Sequence, residues 1–206
     1  MIIVGAKGHA QDIISDTSFY SLKGTHFMFD NVNSDLPDIL FEKYILLRTI
    51  KEAKEKAHNQ SFFLALGSPL GRQKIFELFL QNGFCSTNFI ASNSLVSSLA
   101  NLGAGLSIMP FSAVFAGARI GNGCLINSYA SVHHDATLGD FVTVSPGARI
   151  LGRANIGDLT EIGANAVILP DVTVGNNVII GAGAVVTKDL PSGCKAVGVP
   201  ARVIKA

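Results

Sequence analysis

The chain has 206 residues, of which 48% are hydrophobic and 15% charged, and its formal net charge is +1. Because the charge is near neutral and there is no long basic run, nothing indicates nucleic acid or an acidic surface as a partner. The three cysteines are scattered and show no CxxC spacing, so neither a disulfide framework nor a metal site is expected.

The N-terminus lacks the basic region and the apolar length of a signal peptide. No run of about eighteen apolar residues occurs anywhere in the chain, so no membrane insertion is expected. Together these features predict a cytoplasmic protein.

The first part of the chain alternates between segments typical of strands and of helices. Short apolar runs predict buried parallel strands at 2–6, 26–30 and 62–67, with a further strand at 87–90. Apolar residues at helical spacing predict helices over 9–19, 38–58 and 70–81, the last closed by Asn82 and Gly83. We therefore predict a Rossmann-like α/β domain over residues 1–86.

From about residue 90 onward the pattern changes to a period of six. Every sixth residue is Leu, Ile or Val, without a slip, at fifteen positions: Leu102, Ile108, Val114, Ile120, Ile126, Val132, Leu138, Val144, Ile150, Ile156, Ile162, Ile168, Val174, Ile180 and Val186. The residue four positions later is usually small, most often Ala. This hexapeptide period is typical of a parallel β-helix with three short strands in each coil. We predict such a helix over residues 87–206, with about five coils and the periodic residues pointing inward.

Both ends of a β-helix expose strand edges, which invite pairing with another chain unless they are covered. We predict that the α/β domain covers the first end. The tail from Leu190 to Ile204 is predicted to cover the last.

One hexad, Val132 to Thr137, carries unusual chemistry. Because Val132 and Ala136 are predicted to point inward, His133, His134 and Asp135 must lie at outward or turn positions. A neutral imidazole whose tautomer is fixed by a carboxylate can act as a general base near neutral pH. The alternative is a pair of solvent-exposed turn histidines, and spacing alone does not choose between His133 and His134.

A second candidate site is the loop from Gly5 to Ala10, between a predicted strand and a predicted helix. Glycines at this place let backbone N–H groups approach a phosphate at the helix N-terminus. The loop is neither GxGxxG nor a Walker A motif, and an ordinary glycine-rich turn is the alternative. Asp30 ends the next strand, where an acid contacts the ribose in nucleotide-binding βαβ units.

The segments Gly181–Asp189 and Ala196–Arg202 resemble the C-terminal motif of left-handed β-helix acyltransferases that use acetyl-CoA. Combined with Ile-Val-Gly-Ala-Lys-Gly-His at 3–9, the whole chain resembles the sialic-acid O-acetyltransferase and nucleotide-4-amino-sugar N-acetyltransferase family. The resemblance implies a left-handed coil. It also implies a homotrimer in which acetyl-CoA lies in the groove between neighbouring β-helices.

The resemblance further implies the roles of individual residues. In the amino-sugar members of the family, the base is the His of a His-acid pair that follows an Ile-Asn segment. Here Ile126-Asn127 is followed by His134-Asp135, so the resemblance implies His134 as the base and Asp135 as its orienting acid, with His133 as a neighbour. Gly152 would donate its backbone N–H to the thioester oxyanion, and Asn127 would lie with it at the acetyl-CoA site. The residues that match the nucleotide-sugar site are Gly5, Lys7, Gly8, His9, Asp30, Asn31 and Arg72. Two positions depart from the family: Asn31 stands where some relatives have a second Asp, and Thr143 where some have another His.

The expected activity is N-acetylation, with acetyl-CoA as donor, of a UDP- or dTDP-linked 4-amino-4,6-dideoxy sugar that serves polysaccharide biosynthesis. The first alternative is O-acetylation of sialic acid or another sugar. More distant alternatives are an NAD-binding module built on the first 86 residues and a non-catalytic β-helix platform. The missing GxGxxG argues against the NAD-binding module.

Overall fold

The computed structural model describes residues 1–16, 19, 26–57 and 60–205. Residues 17, 18 and 58, which the sequence analysis placed in helices, lie outside this part of the chain. Within it, no helix has the length and apolar character needed to cross a membrane.

The N-terminal part is a six-stranded sheet flanked by helices. Its strands are β1 (Ile2–Val4), β2 (Phe27–Phe29), β3 (Ile39–Leu40), β4 (Tyr44–Leu47), β5 (Ser61–Leu64) and β6 (Cys85–Ser86), in the spatial order β3-β4-β2-β1-β5-β6. Only the β3–β4 pair is antiparallel. The helices are α1 (Gly8–Ser15), α2 (Ile50–Lys56) and α3 (Pro69–Gln81). This arrangement confirms the predicted α/β domain, since the central strands are buried and parallel.

The prediction of one long helix over 38–58 is wrong. Residues 39–47 form the β3–β4 hairpin instead, whose turn places Phe41 and Glu42 at φ of 50° and 55°. Tyr44 and Leu46 are buried and Ile45 is exposed, which is the alternation of a strand with one face toward solvent. Helix α2 begins only after Thr49, whose side chain forms a capping box with Glu52.

The rest of the chain is a three-faced parallel β-helix. The first face consists of Phe89–Ile90, Ser107–Ile108, Leu125–Ile126, Thr143–Val144, Glu161–Ile162, Ile179–Ile180, Lys195–Val197 and the antiparallel Arg202–Lys205. The second face consists of Leu95–Val96, Ala113–Val114, Ser131–Val132, Arg149–Ile150, Val167–Ile168 and Val185–Val186. The third face consists of Asn101–Leu102, Arg119–Ile120, Thr137–Leu138, Asn155–Ile156 and Thr173–Val174. We call the turns that follow the first, second and third faces the first, second and third corners.

The periodic residues form the core of this β-helix, as the sequence predicts. From Ile108 to Val186 each of them is at most 4% exposed. Small residues such as Ala118, Ala136 and Ala154 fill the corners and are fully buried. The third residue after each periodic position takes a left-handed conformation, with φ between 54° and 74° at every corner from 105 to 183. The corners therefore repeat one backbone geometry, and side chains eighteen residues apart stack in columns.

The α/β domain packs along the first face and not over the first end. The outward side chains of Phe89, Ser107, Leu125 and Thr143 are all buried on that face, and Ser107 Oγ donates a 2.8 Å hydrogen bond to the Leu64 carbonyl in β5. The prediction about the first end is therefore wrong.

The tail does cover the last end, as predicted. Lys195–Val197 extends the first face beyond Ile179–Ile180, and Leu190 and Cys194 join the core.

Candidate functional site

His134 and Asp135 lie together at the second corner. Val132 points into the core, and the chain then turns, with Asp135 in the left-handed conformation at φ 60°. Asp135 Oδ2 lies 2.9 Å from His134 Nδ1, and both side chains are more than half exposed. With the carboxylate accepting the Nδ1–H, Nε2 of His134 keeps its lone pair and faces solvent-accessible space.

Gly152 lies directly beneath the His134 ring. The two residues are one coil apart, and a Cβ on Gly152 would come within 2.6 Å of both Cε1 and Nε2 of His134. Any larger residue would therefore displace the imidazole. Among the described residues, none accepts a hydrogen bond from the Gly152 N–H. The arrangement thus places an imidazole Nε2 next to a free backbone donor.

At the third corner, the backbone donors at this turn position do have partners. There, each equivalent backbone N–H donates to a side chain of the next coil, at 2.6–3.0 Å, along the column of acceptors Asn122, Asp140, Asp158, Asn176 and Ser192. The second corner has no such acceptor for Gly152 in the part of the chain that is described. One corner is therefore closed by its own side chains, whereas the other is open to a ligand.

His133 is in a different environment from His134. Its ring packs against Phe115, with the centroids 4.9 Å apart, and it has no carboxylate partner among the described ion pairs. Partial burial, followed by the positive fields of His134 and Arg149, lowers the pKa of His133. Of the two histidines, His134 is therefore the one with a carboxylate partner among the described ion pairs, and its role as the base stays a prediction.

Asn127 does not lie beside this pair within one chain. It occupies the first corner, at the opposite end of the second-face strand Ser131–Val132. Its side-chain oxygen accepts a 2.8 Å hydrogen bond from the Ser128 N–H, which shapes the turn. A shared role for Asn127 and His134 therefore needs a ligand or a second subunit to connect the two corners.

The proposed nucleotide loops meet at the carboxyl ends of β1, β2 and β5. Gly5 lets two loops touch, because a Cβ there would lie 2.2 Å from the Ala65 carbonyl oxygen. Gly8 begins α1, and the exposed Lys7 Nζ donates to Asn33 Oδ1 at 2.5 Å. Gly5, Lys7 and Gly8 are thus gathered at the edge where open α/β sheets bind ligands.

Asp30 organises the loop that follows β2. The carboxylate is 8% exposed and accepts hydrogen bonds from the backbone N–H groups of Val32 and Asn33 and from the Asn33 amide. Two cavities, of about 360 and 290 Å³, flank this loop, and the exposed Asn31 lines both. The larger cavity is apolar on one side, while the smaller contains Arg48.

The sequence analysis missed part of the larger cavity's wall. Gly71, Lys74, Ile75 and Leu78 of α3 line it. These positions follow the spacing of one helix face, so the amphipathic pattern of α3 carried the signal. Lys74 also places a cation beside an apolar floor, which suits a nucleotide.

The structure places Arg72 at the domain junction and not in this cavity. Its guanidinium is 1% exposed and donates to five backbone carbonyls and one hydroxyl, those of Leu66, Gly67, Gly123, Phe141, Val142 and Thr143. All five of its N–H groups are thereby engaged. Contrary to the expectation from the resemblance, no donor remains for a nucleotide, and Arg72 joins the α/β domain to the β-helix.

His9 lies close to this buried cation. Its Nε2 is inaccessible to solvent and has no hydrogen-bond partner among the described residues. Burial and, to a smaller extent, the charge of Arg72 lower the pKa of His9 from 6.5 to about 4. His9 is therefore neutral at physiological pH.

In the part of the chain that is described, His, Cys, Asp and Glu side chains form no group of three that could hold a metal ion.

Comparisons with known proteins agree with this fold. Residues 117–152 and 153–188 match the family described as bacterial transferase hexapeptide (six repeats). A search of curated proteins gave no match. Among solved structures, the acetyltransferase domain of PglB from Neisseria gonorrhoeae is 29% identical with a TM-score of 0.89, each chain being covered to 98%.

Two further solved structures are equally similar. A variant of perosamine N-acetyltransferase from Caulobacter crescentus, in complex with CoA and GDP-perosamine, is 28% identical with a TM-score of 0.90, over 100% of this chain and 96% of its own. WeeI from Acinetobacter baumannii is 27% identical with a TM-score of 0.90, over 98% of each chain. The family resemblance and the left-handed β-helix class that it implied are thereby confirmed.

We expect His9→Gln to make the protein less sensitive to acid. The unfolded chain binds a proton at His9 near pH 6.5, but the folded protein does so only near pH 4, so stability falls as the pH drops through this window. The contribution of His9 to this loss is about 3 kcal/mol. Denaturant unfolding of both proteins across the window measures the difference. Parallel stability curves for wild type and variant would contradict it.

Proposed function

We propose that this chain, which has the repeats and the whole-chain fold of sugar N-acetyltransferases, transfers the acetyl group of acetyl-CoA to the amine of a nucleotide-linked amino sugar. The observation that carries the proposal is the His134–Asp135 pair lying over the free amide of Gly152. Similar structures contain CoA with GDP-perosamine or acetyl coenzyme A, which supports both substrates. Our finer proposal is a 4-amino-4,6-dideoxy sugar linked to UDP, dTDP or GDP.

In the proposed reaction, His134 acts as the general base. The amine nitrogen attacks the thioester carbonyl carbon, and its proton passes to Nε2 of His134. Asp135 holds the Nδ1–H, so that Nε2 is the unprotonated nitrogen before attack, and its negative charge stabilises the imidazolium afterwards. The acetyl group moves directly between the substrates, and the thiolate of CoA leaves.

Negative charge develops on the thioester carbonyl oxygen and needs a hydrogen-bond donor. The Gly152 N–H is suited to this role. A preorganised backbone amide stabilises the tetrahedral oxyanion without having to reorient during the reaction. A cysteine nucleophile is not required. Cys124 and Cys194 are buried in the β-helix core, and burial raises the pKa of Cys124 to about 12.

The shape of the β-helix supports the proposal that two chains together form the site. The α/β domain lies on the first face, whereas His134 occupies the second corner, which is the edge of the prism opposite that face. We therefore propose a homotrimer in which the α/β domain of one subunit presents the sugar to His134 of the next. The stacked and exposed rings of Phe111 and Tyr129 at the first corner support a contact between subunits.

We expect His134→Ala to lower kcat by roughly 10²–10⁴-fold, because it removes the general base. His133→Ala is the matched control on the neighbouring residue, and it should keep kcat within about tenfold of wild type, since His133 has no carboxylate partner. Both are assayed with acetyl-CoA and purified UDP-, dTDP- and GDP-linked amino sugars. An active His134→Ala enzyme would refute the assigned base. Turnover of free sialic acid in place of every nucleotide sugar would refute the substrate class and favour O-acetylation.

We expect Gly152→Ala to fold normally but to lower kcat by roughly 10²-fold, because the added methyl group displaces the His134 ring. Ala116 occupies the same turn position one coil before His134, so the backbone accepts Ala there. The effect should vanish in the His134→Ala background, where there is no ring to displace. Equal losses in both backgrounds would show that Gly152 acts independently of the imidazole.

The shared site can be tested by mixing two inactive variants. His134→Ala lacks the base, and Asn31→Trp blocks the cavities that Asn31 lines in the α/β domain. If each site combines two subunits, coexpression of the two variants should restore activity, because some sites then receive an intact α/β domain and an intact His134. Mixtures as inactive as their parents, despite forming mixed oligomers, would show that each chain forms its own site.

A further inference from the structure

A column of charged side chains runs along the second corner beside the His134–Asp135 pair. Its members are Asp135, Arg153 and Asp171, which follow Gly117 at the same left-handed turn position in successive coils, with φ between 60° and 74°. Coils stack about 4.8 Å apart. Arg153 therefore lies one coil from Asp135 on one side and one coil from Asp171 on the other. Its guanidinium can form an ion pair with either carboxylate.

Arg153 pairs with Asp171. Its Nε donates to Asp171 Oδ1 at 2.6 Å and its Nη2 to Asp171 Oδ2 at 2.8 Å. This forked geometry is the strongest that a guanidinium and a carboxylate can form. The pairing raises the pKa of Arg153, to which Asp135 adds a smaller contribution. The field of Arg153 thus reaches Asp135, although no hydrogen bond joins them in the described structure.

Asp135 is engaged on its other side. Oδ2 holds His134 Nδ1 at 2.9 Å, and Oδ1 lies over Gly117, 2.3 Å from where a Cβ would be. The absence of a side chain at Gly117 thus leaves room for the carboxylate. A guanidinium forked onto Asp135 would compete with the imidazole for the same oxygens.

The turn that carries Asp171 is also tied to the site through the backbone. The Asp171 N–H donates to the Gly152 carbonyl at 3.2 Å, and the Arg153 N–H donates to the His134 carbonyl at 3.1 Å. These bonds fix the positions of Asp135, Arg153 and Asp171 along the β-helix axis relative to the imidazole of His134. The direction in which Arg153 reaches is then set by the side chain of Asp171.

We infer that Asp171 is a positioning residue, which holds Arg153 away from Asp135 so that Asp135 stays free to orient His134 and to stabilise its charged form. The inference rests on the proposed function for its effect on catalysis, but the competition for Arg153 exists without a substrate. The Arg153–Asp171 pair contributes little to the stability of the fold, because both side chains are more than half exposed and exposed ion pairs stabilise proteins little.

Three variants test this inference: Asp171→Asn, Arg153→Gln and the double variant. Asp171→Asn releases Arg153 to bind Asp135, so we expect kcat to fall about tenfold at unchanged melting temperature, as an estimate for a partly disabled base. Arg153→Gln should stay within about twofold of wild type. The double variant should recover to the same level, because the competing cation is gone.

The matched control is Asp158→Asn, which removes the same charge at an exposed position of the third corner and should leave kcat unchanged. It excludes an effect of net charge alone. Unchanged kcat in Asp171→Asn, or a double variant as slow as Asp171→Asn, would overturn the inference.

A second measurement needs no substrate and separates this inference from the proposed activity. The NMR signals of the His134 ring nitrogens in the free protein report whether Nδ1 still donates to Asp135. These signals should change in Asp171→Asn, where Arg153 competes for the Asp135 carboxylate, and should return to their wild-type positions in the double variant. Identical ring signals in all variants would overturn the inference, whereas failure to acetylate any nucleotide sugar would refute only the proposed function.

Discussion

The constraint on which the structure depends is the register of the β-helix, in which each strand residue from 107 to 186 lies over the residue eighteen positions before it. The inward Leu, Ile and Val residues hold this register, because a slip of one residue would turn the whole core outward. The turns have the same register as the strands, so that His134 lies over Gly152 and Asp135 lies over Gly117. A catalytic arrangement built on such repeats is held by the core, and needs no flexible loop to position it.

The same register explains why much of the site can be predicted from the sequence. A period of six fixes which residues point inward, so His134 and Asp135 had to lie at outward or turn positions, whereas Gly152 was expected from the family resemblance alone. The choice of His134 over His133 needed more than spacing. It came from the family resemblance, and the structure supplies a physical reason in the Asp135 carboxylate, which bonds only one of the two rings.

Other features could not be predicted because they depend on distant partners. Residues 39–47 resemble a helix locally, but they pair as a hairpin at the sheet edge, where Tyr44 and Leu46 become buried. Arg72 looks like a surface cation at the start of a helix. Its acceptors include the carbonyl of Gly123 and the hydroxyl of Thr143, which no local pattern connects to it. Thr143 also stands where some relatives have a histidine, and here its hydroxyl completes the shell around Arg72.

A buried arginine without a carboxylate partner in the described structure has a consequence for the whole molecule. Its hydrogen-bond acceptors are neutral carbonyl and hydroxyl groups, and these come from both the α/β domain and the β-helix. Separating the domains would leave the guanidinium without the four of its six acceptors that lie in the β-helix, a large penalty for a buried charge. The α/β domain is therefore fixed on the first face and cannot swing round to the second corner of its own chain. If the proposed reaction occurs, the rigidity of this junction is what makes a neighbouring subunit necessary.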